Sequence, residues 1–152
     1  MRHSGFTLTE LVTVIIILGV LSVTALPVWF NRTDFEARGY FDELRQATRY
    51  AQKLAVSTNC DVLVTIATAG ATSTYSLALQ AAPAGHAQCV ATPVSLPGSP
   101  PPYVSPAGVT VTAGTGTITF HPSGLATITM ANPITVNGTL TMVVHTATGY
   151  VQ

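Results

Sequence analysis

Charge is scarce in this chain, and the scarcity is uneven. Only 8% of the 152 residues are Asp, Glu, Lys or Arg, against roughly 25% in an ordinary globular domain. After Lys53 the only formally charged side chain is Asp61, and from Val62 to Gln152 there is none at all. Without carboxylates this half offers no acid pair for glycoside cleavage. Without cations it cannot neutralise phosphates, the main source of non-specific affinity for nucleic acid. Its surface must be built from Thr and Ser hydroxyls among Ala, Gly and Pro. A cytosolic monomer normally needs charge for solubility, so such a surface suits a secreted or surface-displayed domain.

Cysteine is scarce too: Cys60 and Cys89 are the only two. Outside the cytoplasm they are expected to pair, and the closed loop would stabilise the fold by roughly 3–4 kcal/mol. In a reducing compartment they are two buried free thiols. The four histidines, His3, His86, His121 and His145, have no metal-ligand spacing such as H-E-x-x-H. His121 and Ser123 sit in "HPSG" without the G-x-S-x-G of a nucleophile elbow. "GTGT" (Gly114 to Thr117) lacks the lysine and following helix of a phosphate loop. The chain is therefore read as no enzyme, with no catalytic residue, metal or cofactor expected.

What the sequence does have is an apolar run with one acid in it. "SGFTLTELVTVIIILGVL", Ser4 to Leu21, carries Glu10, and Leu11 to Asn31 carries no charge. That is enough to span a bilayer as a helix. Arg2 and His3 before it predict the N-terminus in and the following domain out. A charge at the centre of such a helix costs about 2.5–3.5 kcal/mol, so Glu10 calls for a reason. Pro27 is expected to bend the helix, yet helical signals resume beyond it. In Phe35 to Val56, at 100° per residue, Ala37, Tyr40, Phe41, Leu44, Ala47, Ala51, Leu54 and Ala55 share one side. Arg38, Asp42, Arg45, Arg49 and Lys53 share the other. The reading is one long helix from Thr7 to about Thr58, greasy all round in its first half and amphipathic in its second.

The remainder alternates as strands do. Val62, Val64 and Ile66 precede a turn at Ala69 to Thr72, followed by Tyr75, Leu77 and Leu79. Ile118 and Phe120, a turn at Pro122-Ser123-Gly124, then Ile128 and Met130 form a second hairpin, and Leu140, Met142 and Val144 a further strand. Each strand has one apolar and one Thr-rich face, as in a half-solvated antiparallel sheet. The proline-rich Ala91 to Gly108 is expected as an ordered loop or extended cover. The sequons at Asn31 and Asn137 are weak signals.

"GFTLTEL", Gly5 to Leu11, resembles the cleavage and methylation motif of type IV pilins and type II secretion pseudopilins: a basic leader ending in Gly, a Phe, a glutamate five residues after the Gly, and a long apolar helix. Pro27 lies where pilins carry their bending proline. "FDELRQATRYAQKLAVSTN" and "ITFHPSGLAT" are similar to the GspH/FimT branch, and Phe35 to Val56 looks most like minor pilins of mannose-sensitive haemagglutinin (MSHA) pili.

The resemblance implies an α+β pilin fold: a long N-terminal helix, transmembrane in its first half, packed by its second half on an antiparallel sheet. Residues 1–5 would be the leader, 6–31 the transmembrane and filament-core half, and 32–152 the extracytoplasmic head, with helix 32–58 and sheet 61–152. Prepilin peptidase would cut between Gly5 and Phe6 and N-methylate Phe6. The location implied is the inner membrane, single-pass with the head in the periplasm, then the filament. Partners would be other major and minor pilins or pseudopilins and the inner-membrane assembly platform. Glu10 would then meet the new amine of a neighbouring subunit's Phe6, a strong attraction in a low dielectric, or favour its own helix N-terminus. Arg38, Arg45, Arg49 and Lys53 would form a subunit-facing basic stripe or a solvated helix face.

The function implied is a minor type IV pilin that helps initiate or cap a pilus. The alternatives are a minor pseudopilin of type II secretion, of the H type, and a tip module binding DNA or an adhesive ligand. DNA is disfavoured because "HTATGYVQ", His145 to Gln152, has no arginine. A secretory signal cut after Val23-Thr24-Ala25 is a rival for the N-terminus. A charge inside its apolar region and the helical pattern past Pro27 weigh against it.

Overall fold

Thr7 opens the first helix, α1, Leu8–Ala25. Its carbonyl accepts the N–H groups of Glu10 and Leu11 at 3.1 and 3.2 Å, so the helical ladder begins at once. The computed structural model describes residues 5–25, 32–81 and 89–152, and the chain divides into two units, Met1–Arg32 and Thr33–Gln152. In the first unit α1 has no polar face: Leu11, Val12, Val14 to Leu18, Val20 and Leu21 are all exposed.

Two expectations are met only in part by the described residues. Among the described residues no helix is long and apolar enough to cross a membrane. The 18 residues of α1 rise about 27 Å, short of a hydrocarbon core of about 30 Å. The uncharged stretch expected to complete the span runs into residues 26–31, which lie outside the described residues together with the bend expected at Pro27. Of the single rod expected from Thr7 to Thr58, the described residues hold α1 and α2, Arg32–Thr58; the stretch joining the two lies outside them.

α2 carries Asp34 in its first turn, where a carboxylate favours the helix dipole. It stops where Asn59 takes a left-handed backbone, φ 57°, a conformation Asn tolerates at helix ends. Ala37, Tyr40, Leu44, Ala47, Thr48, Ala51 and Ala55 are buried along it, and Phe41 and Leu54 pack partly against the same core. This is the expected apolar side plus Thr48, whose hydroxyl donates to the Leu44 carbonyl at 2.7 Å and so enters the core satisfied.

The main sheet is antiparallel. Its long hairpin is β1, Val62–Ala69, and β2, Thr72–Leu79, with Ala69 opposite Thr72. β3, Thr92–Val94, and β4, Tyr103–Val104, both pair with the outer side of β2. A second, smaller sheet holds β5, Val111–Ala113. The other side of β1 takes β6, Gly116–Phe120, which pairs with β7, Ala126–Ile128. The smaller sheet is completed by β8, Ile134–Val136, and β9, Leu140–Met142, in the order β5-β8-β9. Val62, Val64 and Ile66 of β1, Tyr75 and Leu77 of β2, and Ile118 and Phe120 of β6 share one core with the buried face of α2. Thr65, Thr74 and Ser76 face out. Val111, Ile134, Val136 and Met142 bring the small sheet into that core.

The segment from Ala91 to Gly108 is thus more regular than expected, with two short edge strands. An edge is where a strand tolerates proline, and Pro93 lies in β3.

Candidate functional site

The N-terminal motif is laid out at the start of α1. Gly5 and Phe6 are exposed, Phe6 by 76%, so the peptide between them is open to a protease. Thr7 is the helix cap: its hydroxyl accepts the Glu10 N–H at 3.4 Å and donates to Glu10 Oε2 at 3.4 Å. Thr-x-x-Glu is the capping-box spacing, and it was readable in "TLTE". It places Glu10 in the first helical turn, where the unpaired N–H groups favour an anion. Glu10 therefore has a local role in its own helix. Oε1 makes no hydrogen bond among the described residues.

The four cations of the stripe on α2 fare differently. Arg38 and Lys53 are exposed, and Arg45 is half-buried with its Nε buried and lacking a hydrogen bond. Arg49 turns inward: its Nε and Nη2 donate to the carbonyl of Val151 at 3.2 and 3.0 Å. One turn on, Gln52 Nε2 donates to the Thr148 carbonyl at 2.9 Å. These bonds tie a hairpin of residues 143–152 to α2. Within it Val143 and Gln152 exchange both backbone hydrogen bonds, at 3.1 and 2.9 Å, and Val144 and Val151 are buried. Gly149 is wedged beneath: a Cβ there would meet the Gly124 carbonyl oxygen at 2.7 Å.

A tyrosine series crosses from helix to sheet edge. Tyr40 of α2 lies 6.0 Å from Tyr75 of β2, and Tyr75 stacks on Tyr103 of β4 at 4.8 Å, ring centre to ring centre. Tyr75 Oη donates to Glu43 Oε1 of α2 at 2.8 Å. Burial, reinforced by the Glu43 carboxylate, pushes the Tyr40 phenol up to about 12. Burial, with the hydrogen bond to Glu43 next, pushes Tyr75 higher still. Sequence reasoning missed Glu43, which sits between the two helix faces. The signal available was tyrosine at inward strand positions, because a buried phenol needs a partner for its hydroxyl.

Cys60 and Cys89 form a disulfide, with Cα atoms 5.6 Å apart, joining the end of α2 to the approach of β3. Asp61 meets His121: Nδ1 donates to the carboxylate at 2.9 Å, and Nε2 lies 2.9 Å from the Thr127 hydroxyl. Both ring nitrogens are thus engaged in joining β1 to the β6–β7 hairpin, and neither reaches Ser123. Asn137 is a turn residue with φ 49°, its Oδ1 accepting the Thr110 N–H at 2.8 Å. Asn31 and His86 lie outside the described residues.

These features form a structural scaffold with an accessible N-terminal motif. The family model described as "Type II transport protein GspH" matches residues 41–151, from the middle of α2 to the clasped hairpin. No curated protein and no solved structure matches significantly. The matched region holds the buried face of α2 from Phe41 on, every strand among the described residues and the hairpin up to Val151. On that match the chain belongs to the GspH family, whose members are pilin-like structural subunits of a larger assembly.

Proposed function

We propose that this chain is a minor subunit of a type IV pilus, made as a precursor and cut between Gly5 and Phe6 by prepilin peptidase, which also methylates the new Phe6 amine. The observation that carries the reading is α1: an apolar helix exposed on all sides, capped by Thr7 and Glu10 directly behind an exposed Gly5-Phe6 peptide. So much exposed apolar surface requires lipid or neighbouring helices. α1 with the residues that follow it would hold the precursor in the inner membrane, head in the periplasm, until the assembly platform extracts it. In the filament Glu10, whose Oε1 makes no hydrogen bond among the described residues, would neutralise the Phe6 amine of an adjacent pilin. The likeness of Phe35 to Val56 to minor pilins of MSHA pili favours a pilus.

A second reading, a minor pseudopilin of type II secretion, is favoured by the family description itself. It shares the processing and anchoring and differs in the machine.

N-terminal mass spectrometry of the native protein tests what the two readings share. A mature chain beginning at N-methylated Phe6 is expected. Natural material that keeps residues 1–5, or begins after Ala25, would overturn it. Gly5 replaced by a bulky residue should leave precursor in the inner membrane. Replacing Glu10 should spare insertion but impair incorporation into filaments.

A further inference from the structure

A groove of about 520 Å³ lies between α2 and the Leu96–Ser99 turn. One wall is a stripe of α2 bearing Glu43, Gln46 and Tyr50; the other is Leu96, Pro97 and Ser99. The turn wall is fixed. Leu96 and Ser99 form an isolated bridge. Tyr103 Oη accepts the Leu96 N–H at 2.6 Å and donates to the Ser99 carbonyl at 2.9 Å. Tyr103 is held in turn by its stack on Tyr75, and Tyr75 holds Glu43 by Oε1. The acid is therefore positioned by the same tyrosines that position the opposite wall. Glu43 Oε2 makes no hydrogen bond, and no cation pairs with Glu43 among the described residues. The sheet has no Lys or Arg to offer one, because the sequence holds neither after Lys53.

We propose that this groove receives an arginine side chain of a neighbouring protein subunit. Its apolar stem would lie along Leu96 and Pro97 and its guanidinium would reach Glu43 beside the Tyr50 ring. Three features fit arginine. A long basic side chain buries its methylenes on an apolar wall while its head stays polar. A planar guanidinium donates in parallel to a carboxylate and stacks on an aromatic face. It is also more weakly hydrated than an ammonium, so it enters a half-enclosed groove more readily. A divalent cation is not matched, because Glu43 is the only carboxylate among the described residues that line the groove. That the arginine belongs to a filament neighbour rests on the reading above; the chemistry of the groove does not.

The test is a titration of the isotope-labelled full chain in detergent micelles with N-acetyl-arginine amide, followed by amide chemical shifts. Its neutral isostere, N-acetyl-citrulline amide, is the comparison. A saturable response at Glu43, Gln46, Tyr50 and Ser99 is expected for the arginine probe and not for citrulline. Glu43→Gln, which keeps an acceptor for Tyr75, should weaken binding about tenfold or more. No saturable response, an equal response to citrulline, or unchanged binding in a folded Glu43→Gln protein would each overturn the proposal. The citrulline comparison needs no variant and decides the matter if Glu43→Gln fails to fold. Cleavage at Gly5 is scored separately, so each reading fails without the other.

Discussion

The guanidinium of Arg49 holds the carbonyl oxygen of Val151 through two nitrogens, across 102 positions of sequence. Both ends of this contact are at least half-buried, so it joins α2 to the last strand-like segment where solvent competes poorly. Arg49→Ala is expected to destabilise the head by about 1.5–3 kcal/mol, the range for hydrogen bonds to a charged group. Arg49→Met, which keeps the stem, should recover only the packing part. Denaturant unfolding measures the loss. Hydrogen exchange should accelerate at the amides of Val143 and Gln152 before those of β1.

Two glycines separate backbone strain from lack of room. Gly138 has φ +71° and an added Cβ there meets nothing within 4 Å, whereas Gly149 has φ +61° and would meet the Gly124 oxygen at 2.7 Å. Gly138→Ala should cost about 1 kcal/mol through φ alone. Gly149→Ala should cost about 2–4 kcal/mol, strain and collision together. Thermal unfolding of both variants checks the order, and equal costs would contradict the wedge.

The Cys60–Cys89 bridge closes a separation of 29 residues. Reduction, or replacement of both cysteines by serine, should lower unfolding stability by about 3–4 kcal/mol in the chain-entropy account. Denaturant midpoints with and without reductant measure this.

The two raised phenols set an alkaline limit. Tyr40 and Tyr75 keep their protons when folded at pH values where an ordinary tyrosine, with a value of 10.0, has lost them. Between the unfolded and folded values the folded state therefore binds more protons, so its stability falls as pH rises. Their contribution should be intact below about pH 10 and decline from there towards pH 12. Tyrosinate absorbance followed beside circular dichroism tests this: the last phenols should ionise together with unfolding. Tyr75→Phe should shift that transition.

The structure was legible in the sequence wherever a pattern repeats often enough to show. The stripe from Ala37 to Ala55 runs through five turns of helix, and β1 and β2 have eight residues each, so period and alternation are plain. β5 and β8 have three residues each, too few for alternation to rise above chance. Their place in the core comes from neighbours distant in sequence. Arg49 misled for a related reason. On a helical wheel it belongs with Arg38 and Lys53, and only a carbonyl brought back by the whole sheet turns it inward. Glu43 likewise becomes distinctive only once Tyr75 arrives from another element. The N-terminal motif was the reverse case, since its residues and the apolar helix behind them are local and begin together in "GFTLTEL".

The clasp between Arg49 and Val151 imposes an order on biosynthesis. Because Val151 is fully buried, the hydrophobic interior stays open on one side until residues 143–152 have followed α2 and the sheet out of the ribosome. Contacts of such long separation form slowly and leave apolar surface uncovered meanwhile. A translation stop or frameshift ahead of Val151 should therefore yield an aggregation-prone head, not a slightly shortened one.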